Sequence, residues 1–193
     1  MKRLLPRLAA LLVAASAVGA AERPLVVDQV QSQVEIAVRA TVDSFTARLV
    51  DFRPNILIDP DDVRVTAATL AFRFEDVKTG KAKRDGEMHD WQNTPAYPDG
   101  QFVLAALEPA AGGNGSGKGN GHLTARGTLT FHGVSREISF PVAITTDSTV
   151  YAIDGEAPVD TRDFGLPIIR KFAVLKVDPV VKVRFHLQGK VGP

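Results

Sequence analysis

The chain has no cysteine. Disulfides, thiol nucleophiles, thiolate zinc sites and a lipid-modified N-terminal cysteine are excluded at once. An exported protein can do without disulfides when it buries a large enough core. Charge of either sign is not in excess: 23 Lys+Arg stand against 22 Asp+Glu in 193 residues. Such a balance gives no overall basic footprint for nucleic acid or for an anionic membrane surface. Long apolar runs are missing too. The longest, residues 8–18, falls short of the ~20 residues a membrane-spanning helix needs, so no stable membrane insertion is expected.

That short run has another use. Lys2, Arg3 and Arg7 precede it, and the small residues Val18-Gly19-Ala20-Ala21 follow it. The pattern predicts a secretory signal peptide over residues 1–21, cleaved near Ala20 or Ala21, with a periplasmic or secreted destination. A retained N-terminal anchor is the competing reading, and the shortness of the run opposes it. Cleavage removes three basic residues and no acidic one, leaving 20 Lys+Arg against 22 Asp+Glu, about −2. Residues 22–193 then form one domain.

What the sequence has in abundance is alternation. Leu129 and Phe131 share one face of a strand, with Thr128 and Thr130 on the other. Val134, Ile138, Phe140, Val142 and Ile144 alternate with Ser135, Glu137 and Ser139. Period-two alternation marks strands with one buried and one wet face. The arms meet at His132-Gly133, where glycine suits the positive φ of a two-residue hairpin turn. The same pattern recurs over residues 34–42, 45–49, 52–58, 63–74, 100–107, 150–163 and 181–187. Pro54 predicts an open edge or a bulge. A change of apolar phase in 63–74 predicts one extra residue near Ala67. Residues 84–93 differ, with Met88 and Trp91 three apart, and predict a short amphipathic helix ended by Pro95. A plain surface connection anchored by Trp91 is the alternative. The sum is all-β: an eight-stranded antiparallel sandwich or barrel with one short helix.

Several motifs fail on inspection. Gly112-x4-Gly117-Lys118 lacks the Ser or Thr that a phosphate loop needs next. Asn114-Gly115-Ser116 fits a glycosylation acceptor, within a glycine-rich run at 109–121 that reads as a mobile loop. Asp163-Phe164-Gly165 spells a kinase triplet without the rest of a kinase; a sharp turn is the simpler account, with Arg162 and Asp163 satisfying one another or the backbone. The histidines at 89, 122, 132 and 186 have no metal-ligand spacing and read as solvated. No serine sits in a nucleophile elbow. Nothing calls for catalysis or a cofactor. The remaining candidates are apolar. Phe45, Leu70, Phe72, Phe74, Phe102, Leu129 and Phe131 face one side of their strands, and Met88 and Trp91 could lie over an open end. An ordinary dry core explains them as readily as a cavity wall does.

Four stretches carry a resemblance across residues 26–191. They are Val27-Asp28-x3-Ser32; Arg84-Asp85 with Met88 and Trp91, followed by Tyr97-Pro98-x3-Phe102; Gly127-Thr-Leu-Thr-Phe-His-Gly-Val134; and Arg162-Asp163-Phe164-Gly165-Leu166. Together they resemble the YceI-like family of exported lipid-binding proteins. Gln31 stands where that family usually has histidine. The resemblance implies a lipocalin-like eight-stranded barrel with no enzymatic activity. It also implies an apolar ligand, such as a polyisoprenoid or an isoprenoid quinone, with Phe164 added to the candidate wall. A barrel filled by its own side chains and serving as a protein-interaction or stress-response module is the rival expectation. Oligomeric state stays open, a homodimer included.

Overall fold

The computed structural model describes residues 22–110, 121–171 and 174–192. The predicted signal peptide (1–21) and nearly all of the glycine-rich run, with its phosphate-loop and glycosylation matches, lie outside the described residues.

Eight antiparallel staves close into a barrel. Three are broken in two: β1 (Arg23–Val27) with β2 (Gln33–Val38), β3 (Phe45–Leu49) with β4 (Phe52–Asp59), and β5 (Arg64–Arg73) with β6 (Val77–Lys78). After the helix α1 (Ala82–Gln92), four run whole: β7 (Asp99–Pro109), β8 (Gly121–Phe131), β9 (Val134–Asp147) and β10 (Val150–Asp160). A small hairpin, β11 (Arg170–Lys171) with β12 (Leu175–Lys176), interrupts the last connection before β13 (Val180–Val191). β13 closes the barrel. One edge pairs with β10, the other with β2 (Lys182↔Ala37) and β1 (Leu25↔Val191). Closure removes the exposed strand edges that an open sheet must protect.

The breaks have local causes. Across 28–32 the Asp28 carboxylate accepts from the amides of Val30 (2.9 Å) and Gln31 (3.2 Å), folding the chain outward. The Ser32 hydroxyl accepts from the Gln188 amide at 3.0 Å and so stands in for a ladder bond. These two contacts are what the spacing Asp28-x3-Ser32 supplies. Opposite this break, β1 meets β4 only at Arg23↔Ile58 and Pro24↔Leu57. Pro54 therefore lies where β4 is paired on one side alone, the open edge its ring predicts. In β5, Leu57↔Ala67 is followed by Ile58↔Val65, leaving Thr66 as the extra residue, one position before the expected place.

The hairpin turn is built as expected: His132 (φ 50°) and Gly133 (φ 69°) both take the left-handed conformation. The helix begins at Ala82 and stops because Asn93 turns left-handed (φ 55°), two residues before Pro95. Its start is tied down by Asp85, which accepts from the Thr79 amide (2.8 Å) and hydroxyl (2.5 Å). Its end is tied by Gln92, fully buried, whose amide donates to the Tyr97 carbonyl at 2.9 Å. With both ends pinned, α1 stays seated across one end of the barrel.

Candidate ligand-binding site

The inward residues of the staves do not fill the barrel. They enclose a cavity of about 770 Å³ that opens at the helical end. This lies within the 300–1,000 Å³ typical of small-ligand pockets. It is also many times the ~30 Å³ that one liquid water occupies. The deep part is lined by Val65, Ile144, Ile153 and Leu187. Beyond it Leu25, Ile58 and Tyr151 are buried and close the far end. Burial and the nearby Asp59 carboxylate push the Tyr151 phenol above its usual value, so it stays neutral there.

The lumen is kept open by a repeated device. Phe72 on β5 faces Gly100 on β7, and Gly155 on β10 faces Phe185 on β13. A Cβ at Gly100 would overlap the Phe72 ring, one at Gly127 the Val103 carbonyl and the Phe102 ring, and one at Gly155 the Phe185 ring. Each ring therefore lies flat over a glycine of the wall instead of projecting across the lumen. Phe140 joins Phe102 (5.5 Å between ring centroids) and Phe185 (5.9 Å), so the aromatic surface continues around the wall.

Polar groups gather at the mouth. Arg84, Glu87, Met88 and Trp91 form one face of α1 and line the opening. Facing them are Val42 and Asp43 in the β2–β3 turn and residues 167–170 of the last connection. The Arg84 guanidinium sits 4.1 Å above the Phe45 ring and binds Asp43 at 2.9 Å. The Trp91 indole N–H donates to the Pro167 carbonyl at 2.9 Å, latching the helix to the last connection. Asp85, next to Arg84, points away to Thr79. Burial raises its carboxyl, but the Thr79 hydroxyl and amide more than offset that and hold it below its usual value.

Of the predicted residues, Phe45, Leu70, Phe72, Phe74, Met88, Trp91, Phe102, Leu129 and Phe131 all border the cavity. Phe164 does not. It is 1% exposed and packs its ring on Phe131 (5.5 Å), behind the wall. It ends a 3₁₀ turn (Thr161–Phe164) outside the staves. Two polar expectations also change. His132 is not a solvated tip: its Nδ1 donates to the Phe164 carbonyl at 2.8 Å, and its ring lies 4.3 Å from that of Tyr97. Arg162 pairs with Asp160 rather than Asp163. Among the described residues no group of three or more His, Asp or Glu is placed to hold a metal ion.

Sequence reasoning passed over Phe140, Phe185 and Arg84. For Arg84 a signal existed, since Arg84, Glu87, Met88 and Trp91 follow the i, i+3, i+4, i+7 spacing of one helical face. For the two phenylalanines only the cross-strand register brings them to the same lumen.

Comparison with known proteins agrees with this architecture. The YceI-like domain model matches residues 25–189. The crystal structure of Burkholderia cenocepacia BcnA is similar, with TM-score 0.70 and 20% identity over 85% of this chain and 99% of that one. A polyisoprenoid-binding domain from Saccharophagus degradans, implicated in plant cell wall breakdown, aligns with TM-score 0.63 and 19% identity. It covers 90% of this chain and all of its own (100%). The Campylobacter jejuni YCEI protein aligns with TM-score 0.63 and 16% identity, covering 79% and 88%. No curated protein matches the chain.

Proposed function

This chain belongs to the YceI-like family, and from that premise we propose that it is an exported, non-enzymatic carrier. It holds the tail of an isoprenoid or similar amphiphile, an isoprenoid quinone included, inside the barrel. The single observation that carries this reading is the cavity itself: about 770 Å³, walled by aliphatic and aromatic side chains, with its charged residues confined to one mouth. An apolar cavity of this kind does not hold water well and takes apolar ligands instead. Burying one five-carbon unit stabilises by roughly 3–4 kcal/mol, at about 0.8 kcal/mol per CH₂-sized group. Ordering the chain and losing its free motion oppose that gain, so a few units set a useful affinity.

The tail enters past Met88 and Trp91 and lies along the Phe72, Phe102, Phe140 and Phe185 rings. The head group stays at the mouth, within reach of Arg84. A filled core acting only as an interaction module fits poorly with a lumen this large. The test is native mass spectrometry, with organic extraction, of protein purified from its own host. A displaceable apolar adduct, or uptake of an added polyprenol or quinone by the emptied protein, is the expected result. A clean unliganded mass throughout, with no uptake, overturns the proposal.

A further inference from the structure

Two segments beside the mouth are joined into one projecting lip. In the β2–β3 turn the Thr41 hydroxyl donates to the Val174 carbonyl (2.7 Å) and accepts from the Lys176 amide (3.1 Å). The Thr41 amide donates to the Lys176 carbonyl (3.0 Å), and Ala40 bridges Val177. This zipper holds two exposed valines: Val42 is 69% exposed and Val174 70%. Both belong to the joined segments beside the mouth, so its rim presents apolar side chains outward.

The charge around them is mostly basic. Arg39, Arg170 and Lys176 are exposed on the lip, and among the described residues none of them has a carboxylate partner. Of the acids there, Asp43 is held by Arg84 (2.9 Å) and Lys81 (3.8 Å), while Asp178 accepts from the Val180 amide (2.9 Å) and keeps its negative charge. On the helix side Glu87 also borders the mouth. Arg39, Lys81, Arg84, Arg170 and Lys176 thus outnumber Asp43, Glu87 and Asp178 beside the opening, a local positive excess within the overall balance of 20 Lys+Arg against 22 Asp+Glu after residue 21.

We propose that this lip is the surface by which the protein docks on an anionic phospholipid bilayer, placing the cavity mouth against the membrane. Arg39, Arg170 and Lys176 meet lipid phosphates, and Val42 and Val174 dip into the interface between head groups and acyl chains. Basic side chains flanking exposed apolar ones are the combination that holds a protein on an anionic leaflet without inserting it. Docking with the mouth inward lets a tail pass from acyl chains to the lumen without crossing water. The inference takes its purpose from the carrier reading, but docking needs no ligand and is measured without one.

The experiment is co-sedimentation of the protein purified from its own host with two kinds of vesicle. One is phosphatidylcholine alone, the other an equimolar mixture with phosphatidylglycerol. Binding to the anionic vesicles only, weakening as salt is raised, is expected. Arg170→Ala with Lys176→Ala is expected to weaken it about thirtyfold. Val42→Ser with Val174→Ser should weaken it by a smaller factor. Arg64→Ala, at the opposite end of the barrel, should leave it unchanged. Far-UV circular dichroism of each variant confirms the barrel is intact. Absence of binding, equal binding to both vesicles, or equal loss with Arg64→Ala overturns the proposal, the first leaving the lip to a protein partner. Anionic binding by a protein that never takes up a polyprenol would sink the carrier reading and uphold the docking surface.

Discussion

On one side of the helical end, Phe74, Phe131 and Phe164 pack on one another with ring centroids 5.4–5.5 Å apart. The His132 turn and Tyr97 lie over them, and all three phenylalanines are buried. Beside this seal, whose Phe74 and Phe131 also border the cavity, Phe45, Phe72, Phe102 and Phe185 present their rings to the open lumen. The residue type is the same, and the difference is what stands opposite. In the seal each ring meets another ring. In the lumen Phe72, Phe102 and Phe185 are backed by glycine, and Phe45 by the Arg84 guanidinium. A ring with a flat seat can lie along a wall and leave a void; a ring without one fills it. Stability and binding thereby draw on neighbouring sets of phenylalanines, with Phe164 wholly in the seal and Phe74 and Phe131 shared because they also border the cavity, and that division can be tested.

The largest effect should come from Phe164→Ala. Removing a fully buried ring costs about 3–5 kcal/mol. Urea denaturation should show the midpoint falling while native mass spectrometry of the still-folded protein shows apolar ligand retained. Loss of ligand at full stability would erase the distinction between seal and lumen. Gly155→Val reverses the test. The new side chain displaces the Phe185 ring into the cavity, at about 1–3 kcal/mol of overpacking. Ligand uptake should fall well below wild type while most of the stability remains. Unchanged uptake would show that the glycine seats do not keep the lumen open.

How far these roles could be read from the residues follows the same divide. Alternation along each stave identifies inward residues, because the side-chain period of a strand is two regardless of its neighbours. Strand count, the turn at His132-Gly133, the edge at Pro54 and the extra residue beside Ala67 are all local and were legible. Register is not local. Phe140 and Phe185 show the same alternation as Phe131, yet only the pairing of β8 through β13 makes them wall. Phe164 illustrates the converse: the motif around it resembles a family landmark, but the 3₁₀ turn places its ring behind Phe131. His132 looks like a wet turn residue until the chain thirty-two positions later brings the Phe164 carbonyl to its Nδ1.

That bond gives the third prediction. His132→Ala should cost about 1–2 kcal/mol, since it leaves the Phe164 carbonyl without its donor. His132→Asn should cost less, as asparagine tolerates the left-handed φ of 50° there. Both act on the seal and should leave ligand occupancy unchanged by mass spectrometry. Equal losses for the two variants would point to the ring's contact with Tyr97 rather than to the hydrogen bond. At the mouth, Trp91→Phe removes the N–H to the Pro167 carbonyl together with part of the indole ring, the bond itself being worth about 1 kcal/mol or less. Its expected signature is kinetic: faster release of a preloaded ligand with little change in the denaturation midpoint.

The smallest effect concerns Asp85, which anchors the helix start from outside both regions. Its carboxyl is held below the usual value by the Thr79 hydroxyl and amide, against the opposing effect of burial. A group with a depressed folded value contributes stability above its unfolded value and loses it as pH falls through the folded one. Wild type should therefore exceed Asp85→Asn most at neutral pH, by less than about 1 kcal/mol because the carboxylate is partly solvated. The two unfolding curves should converge as pH drops below the ordinary carboxylate range. If the gap instead persists unchanged into acid, the contribution comes from the shape of the side chain and not from its charge. The helix would then be seated by packing of Met88, Trp91 and Gln92, independently of the Asp85–Thr79 anchor.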